Sequence, residues 1–177
     1  MKAPLSLKGR AIALLAQREH SEIELRRKLL RWACAAATKA AGAAGAADPD
    51  LEPTSAGAAQ VDALIAWLRE HDYLSEARFV DSRVHARAAR FGNLRIRQEI
   101  AQHGLNLPAD AAQALKDSEQ QRAAAVWQRK FGGSAGMPAT PAERARQARF
   151  LAARGFSGEV VARVMRRVGR CEPENDD

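Results

Sequence analysis

Apolar residues recur along this chain at intervals of three and four, the spacing that aligns side chains on one face of an α-helix. Three stripes show the pattern: Leu25, Leu29 and Trp32; Val61, Leu64, Ile65 and Leu68; and Val161, Val164, Met165 and Val168. The period-two alternation of a β-strand is not sustained anywhere in the sequence. The pattern therefore predicts an all-α protein in which each helix buries one face.

Capping signals divide the chain into about nine predicted helices. In a capping box, a Ser or Thr side chain accepts from the amide three residues later, where a Glu or Gln reaches back. That spacing occurs at Ser21/Glu24, Ser118/Gln121 and Thr140/Glu143. The predicted helices cover residues 5–18, 21–34, 59–72, 75–90, 93–103, 108–116, 118–131, 141–154 and 157–168. Helix-stop glycines are expected at Gly92, Gly104, Gly155 and Gly169.

The segment 35–59 is rich in Ala, Gly and Pro, and we interpret it as a flexible linker or insertion. Its alanines could extend the preceding helix, but a continuous helix is disfavoured by Gly42, Gly45, Pro49, Pro53 and Gly57. The acidic segment 171–177 is predicted to be a disordered tail.

A helix, a short hinge and a second helix follow one another in three places. These stretches read ALLAQREHSEIELRRKLL, IRQEIAQHGLNLPADAAQAL and ARFLAARGFSGEVVARVM. A short helix pair cannot bury its apolar face alone, so such units stack on their neighbours. We therefore favour an extended array of helical repeats; the alternative is a single irregular helical bundle.

The charge balance indicates the class of partner. The 177 residues carry a formal net charge of +7, which favours a polyanionic partner such as nucleic acid. Aromatic residues make up only 5% of the chain, which favours a thin core. Cys34 and Cys171 show neither metal-site nor disulfide spacing. No apolar run is long enough to span a bilayer, so we expect a cytoplasmic protein that contacts no membrane.

No catalytic constellation is recognisable in the sequence. The phosphate-binding pattern GxxxxGK[ST] is missing, and the four histidines have no Cys or carboxylate partners at ligand spacing. We therefore expect a non-enzymatic protein that uses no cofactor and no metal.

Basic side chains form faces on several predicted helices, and these are the candidate binding residues. The faces consist of Arg27, Lys28 and Arg31; Arg83, Arg87 and Arg90; and Arg163, Arg166, Arg167 and Arg170. One such face would be an ordinary solvated surface or a set of intrahelical ion pairs. Three of them favour an anionic partner, because Arg binds phosphate and carboxylate groups bidentately. DNA phosphate and acidic protein surfaces both fit this chemistry.

Residues 73–105, YLSEARFVDSRVHARAARFGNLRIRQEIAQHGL, carry an ordered set of motif positions. The set consists of Tyr73, Leu74, Phe79, Arg87, Gly92, Ile96, Glu99, Ile100, Gly104 and Leu105. Together with the early REHSEIELRRKL and the late LAARGFSGEVVARVM, it resembles the RecX family, the regulators of the RecA recombinase. The chain departs from the family pattern at Ser75-Glu76, where two acids are usual, at Ile100, where Leu is usual, and in the longer insertion at 35–59.

The resemblance implies an all-α, elongated array of three tandem three-helix repeats. We expect repeats at 1–74, 75–116 and 117–170, followed by the acidic tail. It also implies a monomer that lies in the groove of a RecA–DNA filament and inhibits the recombinase, ATPase and co-protease activities of RecA. Such a protein would control the SOS response, DNA repair and homologous recombination.

A second interpretation is a sequence-tolerant DNA-binding helical protein that acts without RecA. Its support is the helix pair around ARFGNLRIRQEI, which looks like a helix-turn-helix with Arg95 near the start of the second helix. Arg87 also has an alternative role, since it could stabilise the scaffold by bonding helix-end carbonyls near Gly92 or Gly104.

Overall fold

The structure is a computed structural model that describes residues 5–40, 54–132, 138 and 140–169. These residues form eight α-helices and no β-strand, which confirms the all-α prediction. The helices are α1 (Leu7–Leu15), α2 (Glu22–Ala40), α3 (Ser55–Glu70), α4 (Glu76–Ala88), α5 (Asn93–Gln102), α6 (Ala109–Phe131), α7 (Pro141–Ala153) and α8 (Gly158–Val168). Within the described ranges, no helix has the length and apolar character needed to cross a bilayer.

The chain divides into two compact units, Met1–Ser82 and Arg83–Asp177. The first contains α1 to α3 and the first half of α4. Its core consists of Ala11, Leu25, Leu29, Val61, Ile65, Leu68 and Leu74. Trp32 and Leu64 are partly buried against it, so both apolar stripes predicted in this unit line the core.

The second unit has its main core between α6, α7 and α8. Trp127 of α6 packs there with Leu151 of α7 and Phe156 of the following turn. The predicted stripe on α8, from Val161 to Val168, is buried in the same cluster. The Trp127 indole N–H donates to Gln147 Oε1 over 2.8 Å, which satisfies the polar atom of an otherwise apolar contact.

The predicted helix break at residues 116–118 is wrong, because α6 is continuous from Ala109 to Phe131. Ser118 is not a helix cap. Its hydroxyl donates to the carbonyl of Ala114 over 2.8 Å, the back-bond that Ser makes inside a helix. No Gly or Pro interrupts this stretch, so the capping-box spacing at Ser118 does not mark a helix boundary.

Residues 35–40 and 55–59, predicted to lie in a linker, are helical. They extend α2 to Ala40 and start α3 at Ser55, where Thr54 is the cap and accepts from the Gly57 amide over 3.2 Å. The alanines of 35–37 continue the helix because Ala has the highest helix propensity. Residues 41–53, and the predicted tail 171–177, lie outside the described residues.

The Thr140 capping box and the Ser21 cap are confirmed, whereas Gly92, predicted to stop a helix, is the N-cap of α5. Thr140 and Glu143 form a complete capping box with Pro141 in the first turn of α7. Ser21 Oγ accepts from the Glu24 amide over 3.2 Å at the start of α2. These side chains satisfy amides that a helix N-terminus leaves without intrahelical partners.

Candidate functional site

Two turns of the second unit are joined through their main chains. The Gly92 amide, at the start of α5, donates to the Arg154 carbonyl over 2.9 Å, and the Leu94 amide donates to the Gly155 carbonyl over 3.0 Å. Gly155 has a φ of +80°, in the left-handed region that favours glycine. A Cβ on Gly92 would lie 2.2 Å from the Gly155 carbonyl oxygen, so the turns can approach this closely only without side chains there.

A buried carboxylate supports the same junction. Glu119 of α6 is 4% exposed, and its Oε1 accepts from the Asn93 amide over 3.0 Å. Its Oε2 accepts from the Ser157 hydroxyl over 3.2 Å. The Ser157 hydroxyl in turn accepts from the Val160 amide and caps α8. Glu119 therefore binds the first residue of α5 and the cap of α8 at once.

Arg122, one turn further along α6, binds carbonyl groups at and just beyond the end of α4. Its guanidinium donates to the Ala88 and Phe91 carbonyls over 3.0 and 2.8 Å, and also to the Asn93 side chain. Burial lowers the pKa of Arg122 from its ordinary value, against the opposing effect of the nearby Glu119 carboxylate. The α4–α5 turn is thus fixed by hydrogen bonds on both sides, and the basic residues it carries have defined positions.

Part of the predicted basic face on α4 is neutralised within the chain. Arg87 Nε lies 2.9 Å from Glu99 Oε2, and Arg83 lies 3.4 Å from the other carboxylate oxygen of Glu99. Both arginines are partly buried, and Arg87 donates to the Glu99 carboxylate instead of the helix-end carbonyls of its alternative role. They border a groove of about 680 Å³ whose other lining residues include Arg95, Glu99 and Gly155.

Three arginines on and beside the α4–α5 turn lie near the Phe91 ring. The guanidinium carbons of Arg95, Arg87 and Arg90 lie 4.5, 5.7 and 6.0 Å from the ring centroid. These are cation–π distances, and such contacts orient the guanidinium groups without neutralising their charge. Arg90 and Arg95 are exposed, so their charges face solvent.

Arg90 also contributes to a second cavity, which we call the basic pocket. It has a volume of about 280 Å³ and is lined by Arg90, Val126, Arg129, Lys130, Phe150 and Arg154. Among the described residues, four cations and no carboxylate line it. Sequence reasoning missed Arg129, Lys130 and Arg154, because they come from α6 and from the end of α7. One signal was present: no Asp or Glu occurs between Glu119 and Glu143.

The remaining candidate residues do not line this pocket. Arg27 and Arg31 are exposed on α2, and Arg166 and Arg167 are exposed on α8. Arg163 is exposed and pairs with Glu159 one turn earlier. Arg170 lies outside the described residues.

Lys28, predicted to belong to a basic face, is partly buried in the first unit beside two buried side chains, His20 and Glu24. Its ammonium lies 3.2 Å from Glu24 Oε1 and 3.1 Å from His20 Nε2. Burial alone would raise the pKa of Glu24, but hydrogen bonds from Arg18 and Lys28 outweigh it and lower the pKa to about 2. Burial also lowers the pKa of His20, so its ring is neutral at pH 7.

Comparison with known proteins identifies the family. The chain is 40% identical over 166 residues to the regulatory protein RecX of Ralstonia pickettii (strain 12J), covering 93% of this chain and 89% of that protein. It is 44% identical over 164 residues to RecX of Leptothrix cholodnii, covering 92% and 88% of the two chains. The chain belongs to the RecX family. RecX of Herminiimonas arsenicoxydans is 38% identical over 178 residues, covering 99% of both proteins.

A family model named "RecX, third three-helix domain" matches residues 117–165. This range contains the larger part of α6 and all of α7 and most of α8, the three helices of the second unit's main core. In this RecX-family chain the basic pocket draws three of its four cations from the matched range. The lining of the pocket is cationic, and among the described residues no His, Cys, Asp or Glu group could hold a metal ion.

Proposed function

We propose that this chain binds RecA–DNA filaments and inhibits the recombinase, ATPase and co-protease activities of RecA. It would act as a non-enzymatic, monomeric regulator in the cytoplasm, controlling the SOS response, DNA repair and homologous recombination. Membership of the RecX family carries this proposal, since its members are regulatory proteins. The proposal also includes three three-helix repeats at 1–74, 75–116 and 117–170, and the match at 117–165 supports the third.

The exposed arginines are the residues we propose for contact with the filament. They are Arg27, Arg31, Arg90, Arg95, Arg163, Arg166 and Arg167, and we extend the set to Arg170 from its sequence position. A RecA–DNA filament offers two kinds of anion, DNA phosphate and carboxylate side chains, and guanidinium groups bind both bidentately. Arg83, Arg87 and Lys28 have carboxylate partners inside the chain, so we assign them first to positioning and only second to filament contact.

Inhibition of ATP hydrolysis tests this function. RecA would be assembled on single-stranded DNA and its steady-state ATPase rate measured as the chain is added. We expect the rate to fall progressively, and to recover when Arg27, Arg31, Arg166 and Arg167 are changed to Ala together. An unchanged rate at concentrations where the chain occupies the DNA would overturn the proposal.

The second candidate is a DNA-binding protein that acts without RecA. The exposed Arg95 and the basic pocket favour it, because both would bind phosphate on bare DNA. The helix-turn-helix form of this candidate fits poorly. Gly92, the N-cap of α5, and Asn93, its first residue, are buried, and the Leu94 amide donates to the Gly155 carbonyl. A recognition helix presents that turn to the major groove, so we favour the filament regulator.

A further inference from the structure

The basic pocket differs from the rest of the basic surface in having no internal counter-charge. Arg83 and Arg87 share Glu99, Lys28 shares Glu24, and Arg163 pairs with Glu159. Arg90, Arg129, Lys130 and Arg154 form no ion pair within the part of the chain that the structure describes. Four uncompensated cations repel one another across a small cavity, so a bound anion would stabilise the arrangement.

Neutral groups hold two of these cations in place. The Arg154 guanidinium carbon lies 3.7 Å from the centroid of Phe150, whose ring packs edge-on against Phe131. Arg129 donates one N–H to the Ala89 carbonyl over 2.9 Å. An Arg has five donors, so Arg129 and Arg154 keep donors for a ligand while their orientation is fixed. These two side chains are therefore preorganised, which lowers the side-chain entropy that binding would cost.

We propose that the basic pocket binds phosphate groups of a nucleic acid backbone. This inference rests on the proposed function and deepens it, because it assigns this pocket to the DNA of the filament. A strand delivers successive phosphates, each with a full negative charge, whereas a single acidic side chain would leave most of the four cations uncompensated.

The Phe150 ring in the pocket lining also indicates that the pocket contacts the nucleic acid backbone and not the bases. Arg154 covers the Phe150 ring at 3.7 Å, so that ring face is not open to a stacked base. Arg90 and Lys130 offer only N–H donors, and the pocket lining contains no further side chain that would read a base together with them. Binding at this pocket should therefore be independent of nucleotide sequence.

The experiment compares two double variants by fluorescence anisotropy on labelled single-stranded DNA over a range of NaCl concentrations. Arg90→Ala/Lys130→Ala removes two exposed cations from the pocket. Arg146→Ala/Arg149→Ala removes two exposed cations from α7 that line neither cavity, and so matches the change in net charge. Oligo-dT and a mixed sequence are used to test sequence independence.

We expect the pocket variant to bind both oligonucleotides about tenfold more weakly, with a salt slope smaller by about 0.7 for each phosphate that it no longer neutralises. The α7 variant should remain within about twofold of the parent chain, a change of less than about 0.5 kcal/mol. A charge-preserving Arg90→Lys/Lys130→Arg variant should recover most of the affinity. This recovery separates weaker phosphate binding from a folding defect.

Two results would overturn the inference. Equal losses of affinity in both double variants would show that only net charge matters. Unchanged DNA binding by the pocket variant, together with weaker inhibition of RecA, would show that the pocket meets an acidic protein surface. The inference and the proposed function can be distinguished. If the parent chain leaves the RecA ATPase rate unchanged while the pocket variant loses DNA affinity, phosphate binding by the pocket is supported and inhibition of RecA is rejected.

Discussion

The amide of Gly92 donates to the carbonyl of Arg154 over 2.9 Å and joins the start of α5 to the α7–α8 turn. The two residues are 62 positions apart in sequence, yet their contact places Arg90 and Arg154 at one pocket. The same turns carry Arg95 and Gly155 at the neighbouring groove. The geometry of both candidate surfaces therefore depends on this junction.

The junction should not tolerate a side chain. Gly92→Ala puts a Cβ 2.2 Å from the Gly155 carbonyl oxygen, and Gly155→Ala combines a φ of +80° with a Cβ 2.6 Å from the Arg95 backbone nitrogen. We expect each change to reduce the free energy of unfolding by about 2 kcal/mol or more, as measured by urea denaturation.

Gly158→Ala is the matched control for these two variants. A Cβ at Gly158 meets nothing within 4 Å, and the residue lies in the first turn of α8. We expect it to be neutral or stabilising by up to about 1 kcal/mol, because Ala has the higher helix propensity. A Gly92→Ala chain as stable as Gly158→Ala would show that the two turns are not packed as described.

Arg87 should stabilise the fold more than its neighbour Arg90. Arg87 donates to the partly buried Glu99 carboxylate through Nε and a terminal nitrogen, at 3.1 and 3.0 Å from Oε1. We expect Arg87→Ala to cost about 1–2 kcal/mol, and Arg90→Ala to stay within about 0.5 kcal/mol, when both are measured by urea denaturation.

A double-mutant cycle with Glu99→Ala isolates the Arg87 contact from other effects of truncation. We expect a coupling free energy of about 1 kcal/mol between Arg87 and Glu99. Additive losses of stability would instead place Arg87 with the solvent-facing arginines, in the role that its helical spacing predicts.

The stability of the first unit should fall in acid through Glu24. The pKa of Glu24 is lowered to about 2 in the folded state, against 4.5 for the ordinary side chain. The stabilisation is therefore fully present above about pH 4.5 and is lost as the pH falls towards 2, because the unfolded chain binds the proton first. Because Arg18 is partly exposed, solvent screens its interaction with Glu24. We therefore expect Glu24 to contribute about 1–3 kcal/mol to the free energy of unfolding, less than the full pKa difference would give.

Glu24→Gln tests this linkage. The variant should be less stable than the parent chain at pH 6, and the difference should shrink steadily between pH 5 and pH 2. Thermal denaturation across that range measures it. A stability difference that does not change with pH would mean that the charge of Glu24 contributes nothing. Glu22→Gln is the control, since Glu22 pairs with an exposed Arg69 whose charge is screened by solvent.

Helices that bury an apolar stripe were predictable from the sequence, and the stripes of α3 and α8 show why. Val61, Ile65 and Leu68 repeat at the helical period because a single face meets the core. Ser118 was wrongly predicted to mark a helix start, because a Ser hydroxyl that can cap a helix can also donate to a carbonyl within one. Helix α2 extends through residues 35–40, beyond the predicted end, because alanine has the highest helix propensity.

The candidate site was only partly predictable. Arg95 is exposed on α5 and Arg90 is exposed in the turn that follows α4, whereas Arg83 and Arg87 pair with Glu99 in a contact between two helices. The basic pocket depends on the Gly92–Arg154 junction, which brings together segments distant in sequence. Periodicity along one helix carries no information about such a junction.

Recognition of the filament is tested by measuring binding to bare single-stranded DNA and to RecA-coated single-stranded DNA, side by side, at one salt concentration. We expect tighter binding to the RecA-coated DNA, because a filament regulator contacts protein and phosphate together. Equal or tighter binding to bare DNA would contradict it and would leave a DNA-binding protein that needs no RecA.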